Sequence, residues 1–266
     1  MRIKFGLDPT GKTIHLGRTI PLLKLKQFQD EGHKIILIIG DFTATIGDPS
    51  DKLNKRPQLT VETIKNNLKN YLPLIGKILD INKCEVHYNS EWFDKMIISE
   101  LLTLAELVTV QQMTVRRNFA NRIKDGKPVS IREILYPILQ GYDSYKIDAD
   151  MEVGGEDQLF NMLMGREIQK HFGQRQQEVI TTPMLLGTNG KKMSTLEGNV
   201  INITDNPKDM FDKILSIRDE LTLDYLENVS PDFLQKGFMI QEIKQGRADY
   251  RKFKEIMANE IIKLYV

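Results

Sequence analysis

The sequence predicts an α/β fold: a doubly wound parallel sheet with a helical insertion, followed by a C-terminal all-helical segment. Three observations predict it. Ile3, Phe5 and Leu7 alternate with polar or small residues and run directly into a helical pattern, which reads as strand then helix. Ile35 to Ile39 is the longest unbroken apolar run in the chain, as expected of a strand covered on both faces. Strand signals stop near residues 200–210, and helix follows helix from there to the end.

Taken in order, residues 2–7 read as the first strand. Leu16, Ile20 and Leu23 recur at helical spacing, giving a helix from about His15 to Asp30 with Pro21 as a feature that argues against it. His33 to Ile39 is the second strand, and strand, helix, strand opens a doubly wound sheet. Ile64, Leu68, Tyr71, Leu72 and Ile75 mark a helix with Thr60 as its N-cap. Val86 to Tyr88 is a short strand. Residues 91–150 are mostly helical, include Arg116, Arg117, Arg122 and Lys124, and interrupt the alternation. Glu152 to Gly155 and Val179 to Thr181 are later strands, separated by a helix near 157–171. The pattern divides the chain into a domain at 1–205, carrying the insertion at about 91–150, and a helical segment at 206–266.

The 266 residues carry a net charge of +1, so no overall field draws in nucleic acid and any such contact must be local. The single cysteine, Cys84, excludes an internal disulfide and a cysteine-rich metal site. No run reaches the length of a membrane span, and the N-terminus has no signal-peptide core. A cytoplasmic protein without a membrane partner is the expectation.

Several segments carry chemistry. Asp8-Pro9-Thr10-Gly11-Lys12-Thr13-Ile14-His15-Leu16-Gly17-Arg18 lies where a strand gives way to a helix. A helix N-terminus offers unpaired N–H groups to phosphate. Gly6 and Gly17 allow close approach of a nucleotide, and Thr10 and His15 supply donors. Taken alone, Asp-Pro-Thr-Gly is equally an ordinary turn. Lys192-Met193-Ser194 follows the glycine-containing stretch Leu186–Lys191, expected to be flexible; a mobile lysine can neutralise a departing pyrophosphate, and a solvated lysine pair fits the segment as well. Tyr136, Gln140 and Asp143 stand at i, i+4 and i+7, so a phenol, an amide and a carboxylate share one helix face. Gly154-Gly155-Glu156-Asp157-Gln158 ends a strand and opens a helix, where doubly wound sheets bind ligands. Gly155 and Asp157 suit a ribose there. Ile46-Gly47-Asp48-Pro49 precedes Lys52 and Arg56, a basic pair on a loop.

The segments Asp8–Arg18 and Lys192–Asn199 resemble the two ATP-binding signatures of class I aminoacyl-tRNA synthetases. With Tyr136–Asp143 and Val153–Asn161 between them in that order, nearly the whole chain resembles the tyrosyl-tRNA synthetases. The resemblance implies a Rossmann-like catalytic domain at 1–205 and a partial helical anticodon-binding domain at 206–266, truncated at the C-terminus and at the N-terminus. It implies attack of the L-tyrosine carboxylate on the α-phosphate of ATP, with Mg²⁺ accompanying the nucleotide, then transfer of tyrosine to tRNA(Tyr). Thr10, His15, Lys192, Lys52 and Arg56 would be catalytic. Asp48, Tyr136, Gln140, Asp143 and Gln158 would bind tyrosine, with Asp143 accepting from the phenol. Gly6, Asp8, Gly17, Arg18, Gly155, Asp157, Lys192 and Ser194 would bind ATP. A homodimer is implied through the insertion, with Leu101, Leu104, Leu107 and Val108 as contributors, although core packing explains these four equally well.

The chain departs from the family pattern at four positions. Arg18 replaces a histidine, Thr195 and Leu196 replace a lysine and a serine, and Lys4 stands where many members place a second tyrosine on the substrate hydroxyl. The related tryptophanyl enzymes share the architecture, but Asp143 would have no phenol to meet there. A truncated or disabled paralogue that binds tRNA, or adenylates tyrosine without efficient charging, is the alternative, and Arg18, Thr195 and Leu196 motivate it.

Overall fold

The computed structural model describes residues 1–48 and 60–265. Along the chain the elements are β1 (Arg2–Leu7), α1 (Leu16–Asp30), β2 (Lys34–Ile39), α2 (Val61–Ile75), β3 (Glu85–Tyr88), α3 (Ser90–Phe93), α4 (Ile98–Ala105), α5 (Val110–Thr114), α6 (Arg117–Lys124), α7 (Ile131–Lys146), β4 (Met151–Gly155), α8 (Leu159–His171), β5 (Glu178–Thr182), α9 (Pro207–Leu215), α10 (Thr222–Asn228), α11 (Lys236–Lys244) and α12 (Tyr250–Tyr265). Short 3-10 turns lie between several of them. Each expected strand is present, within one residue of its expected ends. Among the described residues the five strands form one parallel sheet in the order β3-β2-β1-β4-β5. The chain therefore winds outward from β1 in one direction, then returns to lay β4 against its other edge. That reversal between β1 and β4 is the switch point at which doubly wound sheets bind ligands.

The chain forms two compact units. The first comprises residues 1–10, 28–69 and 81–182 and holds the whole sheet. Its core sets Ile36 and Ile38 of β2 with Ile138, Leu139 and Tyr142 of α7, Met164 and Ile168 of α8, and Trp92 and Phe93 of α3. Gly141 lets α7 and α8 meet closely: a β-carbon there would stand 2.9 Å from the Gly165 nitrogen, closer than side-chain carbons pack. α7 begins at Ser130, whose hydroxyl accepts from Arg132 N while Glu133 reaches back to Ser130 N, a reciprocal cap.

The insertion packs its leucines inward. Leu104 is fully buried, and Leu101, Leu107 and Val108 lie against the same core. The large apolar side chains left in solvent among its described residues are others: Ile97, Ile98, Leu102, Val110, Val115, Ile123 and Ile131. Of the four named from the sequence, Leu104 is thus a core residue of the first unit and Leu101, Leu107 and Val108 are half-buried against that core, while α4 turns Ile98 and Leu102 outward.

The second unit comprises residues 11–27, 70–80 and 183–266. Met210 and Ile214 of α9, Tyr225 and Leu226 of α10, and Phe253, Met257 and Ile261 of α12 are buried in it. α1 continues through Pro21. An interior proline costs a helix about 3 kcal/mol, whereas each buried aliphatic side chain returns about 1.5–3 kcal/mol. Leu16, Ile20, Leu22 and Leu25 of this helix are all buried, so burial outweighs the lost backbone bond.

Candidate active site

In the first unit α7 and the ends of β1, β2 and β4 assemble a polar pocket. Tyr136 is buried, and its hydroxyl donates to Asp8 Oδ2 at 2.9 Å. Burial first, then the Asp8 and Asp48 carboxylates, hold that phenol well above its ordinary pKa, so Tyr136 stays a neutral donor. Asp8 is itself placed: Thr43 Oγ1 donates to its Oδ1 at 2.8 Å. Gly40 makes room for this contact, since a β-carbon there would fall 1.9 Å from Asp8 Oδ1. Asp8, expected on the nucleotide, thus also holds Tyr136.

Seven residues beyond Tyr136, Asp143 is buried to 4 % exposure. Trp92 Nε1 donates to its Oδ1 at 2.9 Å, and Asn89 Nδ2 approaches its Oδ2 at 3.4 Å. Burial pushes its carboxyl up to about 7, against the opposing pull of Lys4, Trp92 and Asn89. Sequence reasoning missed Trp92 and Asn89; nothing in their spacing marks them, because they arrive from the β3–α3 connection.

Gln140, between the two, is joined to a chain of amides. Asn161 Nδ2 donates at 3.0 Å both to Gln140 Oε1 and to Gln158 Oε1. Gln158 Nε2 donates to Asp48 Oδ2 at 2.5 Å. Arg116 donates to Asn161 Oδ1 at 3.0 Å and stacks on Phe160, 4.3 Å from the ring centroid. The structure therefore brings Asp48, Tyr136, Gln140, Asp143 and Gln158 into one connected constellation, with Asn161 and Arg116 as members the sequence did not announce. Lys4 is fully buried beside Glu152.

At the end of β4, Gly155 admits the Asp157 carboxylate, whose Oδ1 would stand 2.6 Å from a β-carbon on Gly155. Gly6 of β1 has open space on its side-chain face. Thr10 N donates to Asp8 O at 2.8 Å, and Asn67 Nδ2 donates to Pro9 O at 2.8 Å, which fixes the Asp-Pro-Thr turn.

In the second unit the two signature segments come together. Leu16 N donates to Ile201 O, and Ile203 N donates to Ile14 O, both at 2.9 Å. These bonds form an antiparallel bridge of His15 with Asn202. Gly17 N lies 3.4 Å from Met193 Sδ. Gly17 also leaves room for the His15 ring, which would be 3.2 Å from a β-carbon at that position. Arg18 Nη1 donates to Tyr71 OH at 2.5 Å, so the arginine that replaces the usual histidine spends one of its donors on α2.

The stretch before Lys192, expected to be flexible, is a pinned hairpin. Gly187 N donates to Lys191 O at 2.7 Å and Met193 N to Leu185 O at 3.0 Å. The buried Asn199 side chain accepts from Ser194 N at 2.9 Å and donates to Asn189 Oδ1 at 2.6 Å and to the carbonyls of Lys191 and Lys192 at 3.2 Å. Lys192 is exposed and Ser194 half-buried. Lys52 and Arg56 lie outside the described residues.

The family described as tRNA synthetases class I (W and Y) matches residues 1–265. The chain is 48% identical over 267 residues to the tyrosine–tRNA ligase of Carboxydothermus hydrogenoformans, covering 100% of this chain and 65% of that one. It is 46% identical over 263 residues to that of Bordetella pertussis, covering 98% and 64%. The chain thus spans about 65% of the length of the curated relatives it matches. In fold it resembles the tyrosyl-tRNA synthetase of Aeropyrum pernix, with a TM-score of 0.82 at 17% identity over 100% of this chain and 83% of that one. It likewise resembles that of Archaeoglobus fulgidus complexed with L-tyrosine, with a TM-score of 0.80 at 22% identity over 99% and 88%. A match over all but one residue, together with relatives near half identical, leads to one conclusion: the chain belongs to the class I tRNA synthetases of the tryptophan and tyrosine family.

Proposed function

We propose that the chain activates L-tyrosine with ATP to tyrosyl-adenylate and passes the tyrosyl group to the terminal adenosine of tRNA(Tyr). The observation that carries this reading is the buried Asp143, placed on the Tyr136–Gln140 face of α7 and held by Trp92. A buried carboxylate with room for one more donor is a site for a phenol. Loss of the hydroxyl strands such a group, and pockets of this kind discriminate by roughly four to five orders of magnitude.

The roles follow the chemistry. Tyr136, Gln140 and Asp48 take the α-ammonium, Asp143 the phenol, and Gln158 the carboxyl end of the substrate. Positioning the carboxylate in line with the α-phosphate supplies most of the rate, with no strong base required. Thr10 and His15 donate to the phosphate oxygens as charge develops. Lys192 and Ser194, with Lys52 and Arg56, draw off pyrophosphate. Gly6, Gly17, Arg18, Gly155 and Asp157 hold the nucleotide, Asp157 accepting from the ribose. Mg²⁺ enters with ATP on the triphosphate; among the described residues no group of three or more His, Cys, Asp or Glu side chains could hold it.

By role, residues 1–205 are the catalytic domain and 206–266 a helical anticodon-binding portion. The exposed Ile98 and Val115, 77% and 74% accessible, support a homodimer formed through the insertion, since apolar surface of this kind marks an interface. Replacing both with Asp should convert a dimer to a monomer in light scattering, and an unchanged mass would remove the insertion as the interface. No helix among the described residues is long and apolar enough to cross a membrane.

The test is ATP–pyrophosphate exchange with tyrosine, phenylalanine and tryptophan in parallel. Exchange with tyrosine alone is expected. Exchange with tryptophan, or with none of the three in folded protein, would defeat the reading.

A further inference from the structure

Two opposite charges sit side by side in the middle of the sheet. Lys4 of β1 and Glu152 of β4 are register partners. Their side chains are 0% and 1% exposed, and Lys4 Nζ lies 3.0 Å from Glu152 Oε1. Both are saturated. Lys4 Nζ also donates to Gln140 O and to Ser144 Oγ, each at 2.8 Å, which accounts for its three protons. Glu152 Oε1 further accepts from Gln140 Nε2 at 3.1 Å, and Oε2 accepts from Ser144 Oγ at 3.1 Å and Gln177 Nε2 at 2.7 Å.

Removing two ions from water is costly, and well-packed apolar residues of like volume would stabilise the same place at least as well. Stability alone is therefore a poor reason for the pair. What it does is orient Gln140. A carboxylate only accepts, so the amide must turn its Nε2 toward Glu152. Its Oε1 then faces the other way, where Asn161 occupies one of the two lone pairs. The second remains for a cation.

We propose that the Lys4–Glu152 pair is a positioning device: it locks Gln140 with its carbonyl oxygen presented to the substrate α-ammonium, and Lys4 makes no contact with the phenol. This rests on the tyrosine reading above. Glu152 keeps the amide from flipping, Lys4 holds Glu152 in place through the contact to its Oε1, and the Lys4 bond to the Gln140 carbonyl holds α7 at that residue. Glu152→Gln removes one of the two contacts that fix the Gln140 amide and leaves only Asn161, itself oriented by Arg116, to hold its Oε1, so the carbonyl oxygen is presented to a cation less firmly.

Two small probes separate this from a general prop for the pocket. Tyramine carries the phenol and the ammonium; 3-(4-hydroxyphenyl)propionate carries the phenol and the carboxylate. Their affinities for the full chain can be read as competitive inhibition of tyrosine-dependent exchange and directly through Trp92, the only tryptophan. Glu152→Gln should weaken tyramine at least tenfold and leave 3-(4-hydroxyphenyl)propionate within about twofold, with the tyrosine KM raised and kcat little changed. The double variant Lys4→Met/Glu152→Leu removes both charges of the pair and should fold; Lys4 also acts on Asp143, which both probes meet, so tyramine should still be weakened more than 3-(4-hydroxyphenyl)propionate. Equal weakening of both probes would overturn the proposal, as would no weakening of either. A double variant that does not fold would also overturn it, by making the pair a requirement of the fold. Failure of both probes to bind the unaltered chain would instead strike the tyrosine reading itself, and the proposal with it.

Discussion

Asp143→Asn tests the electrostatics of the pocket most directly. In the fold the Asp143 carboxyl is raised from 3.8 to about 7, burial being the largest cause. The sign follows from that direction. A raised acid prefers to be neutral in the folded chain, so its contribution to stability is most favourable below the unfolded pKa and is lost as pH rises toward the folded one. Over the two titrations this one group lowers stability more at pH 8 than at pH 5, relative to strong acid. Asparagine does not titrate. The stability of the variant relative to the unaltered chain should therefore rise by roughly 2–3 kcal/mol between pH 5 and pH 8, whatever the substitution costs in hydrogen bonds. The measurement is urea unfolding at the two pH values, followed by fluorescence of Trp92, which donates directly to Asp143. Native Trp92 emission should also titrate with a midpoint near pH 7 and lose that step in the variant. A stability difference that does not move with pH would refute the argument from burial. The same variant should lower kcat/KM for tyrosine while leaving that for phenylalanine much less affected, because only the phenol meets Asp143.

Other consequences are open to measurement. Asn199→Ala strips four side-chain hydrogen bonds from the Lys192 hairpin. It should cost about 1–3 kcal/mol and accelerate hydrogen exchange at the Gly187 and Met193 amides; unchanged protection there would mean that the side chain does not hold the hairpin. Gly187→Ala should be worse tolerated, since its β-carbon would lie 2.2 Å from the Asn199 carbonyl oxygen, and a thermal melt matching the unaltered chain would contradict the geometry. Ser130→Ala removes the α7 cap and should cost about 1 kcal/mol in urea titration. Thr195 is exposed, so Thr195→Lys should leave stability unchanged and raise the rate of pyrophosphate exchange by adding charge beside the leaving group; no gain in rate would show that the second lysine is dispensable here.

Much of the fold was legible in the sequence, and the reason is local. Strand ends came within a residue because Ile3-Lys4-Phe5 and the Ile35–Ile39 run report their own burial through their spacing. The helix from Leu16 was legible despite Pro21, for the apolar repeat that predicts it is also what stabilises it. The insertion was legible as helical but its outward face was not, because in α4 apolar residues lie on the exposed side, Ile98 and Leu102, as well as on the buried side, Leu101 and Leu104. Within the site, Tyr136, Gln140 and Asp143 could be grouped because one helix face holds all three. Their supports could not: Trp92 and Asn89 come from 51 and 54 residues away, and Asn161 from the next helix.

Lys4 and Glu152 mark the boundary between the two kinds of knowledge. Each is a charge set between apolar neighbours in its strand, Ile3 and Phe5 for Lys4 and Met151 and Val153 for Glu152, and the sequence showed both without saying that they face each other. By itself it determined the order of strands and helices, the two signature segments and the polar face of α7, because those are set by residues adjacent along the chain. Only the tertiary structure decided which buried charges are neutralised, which way the Gln140 amide points and what holds the Lys192 hairpin. Those depend on strand register and on contacts between distant segments, where a single proton donor or acceptor within about 3 Å sets the outcome and no local pattern records it.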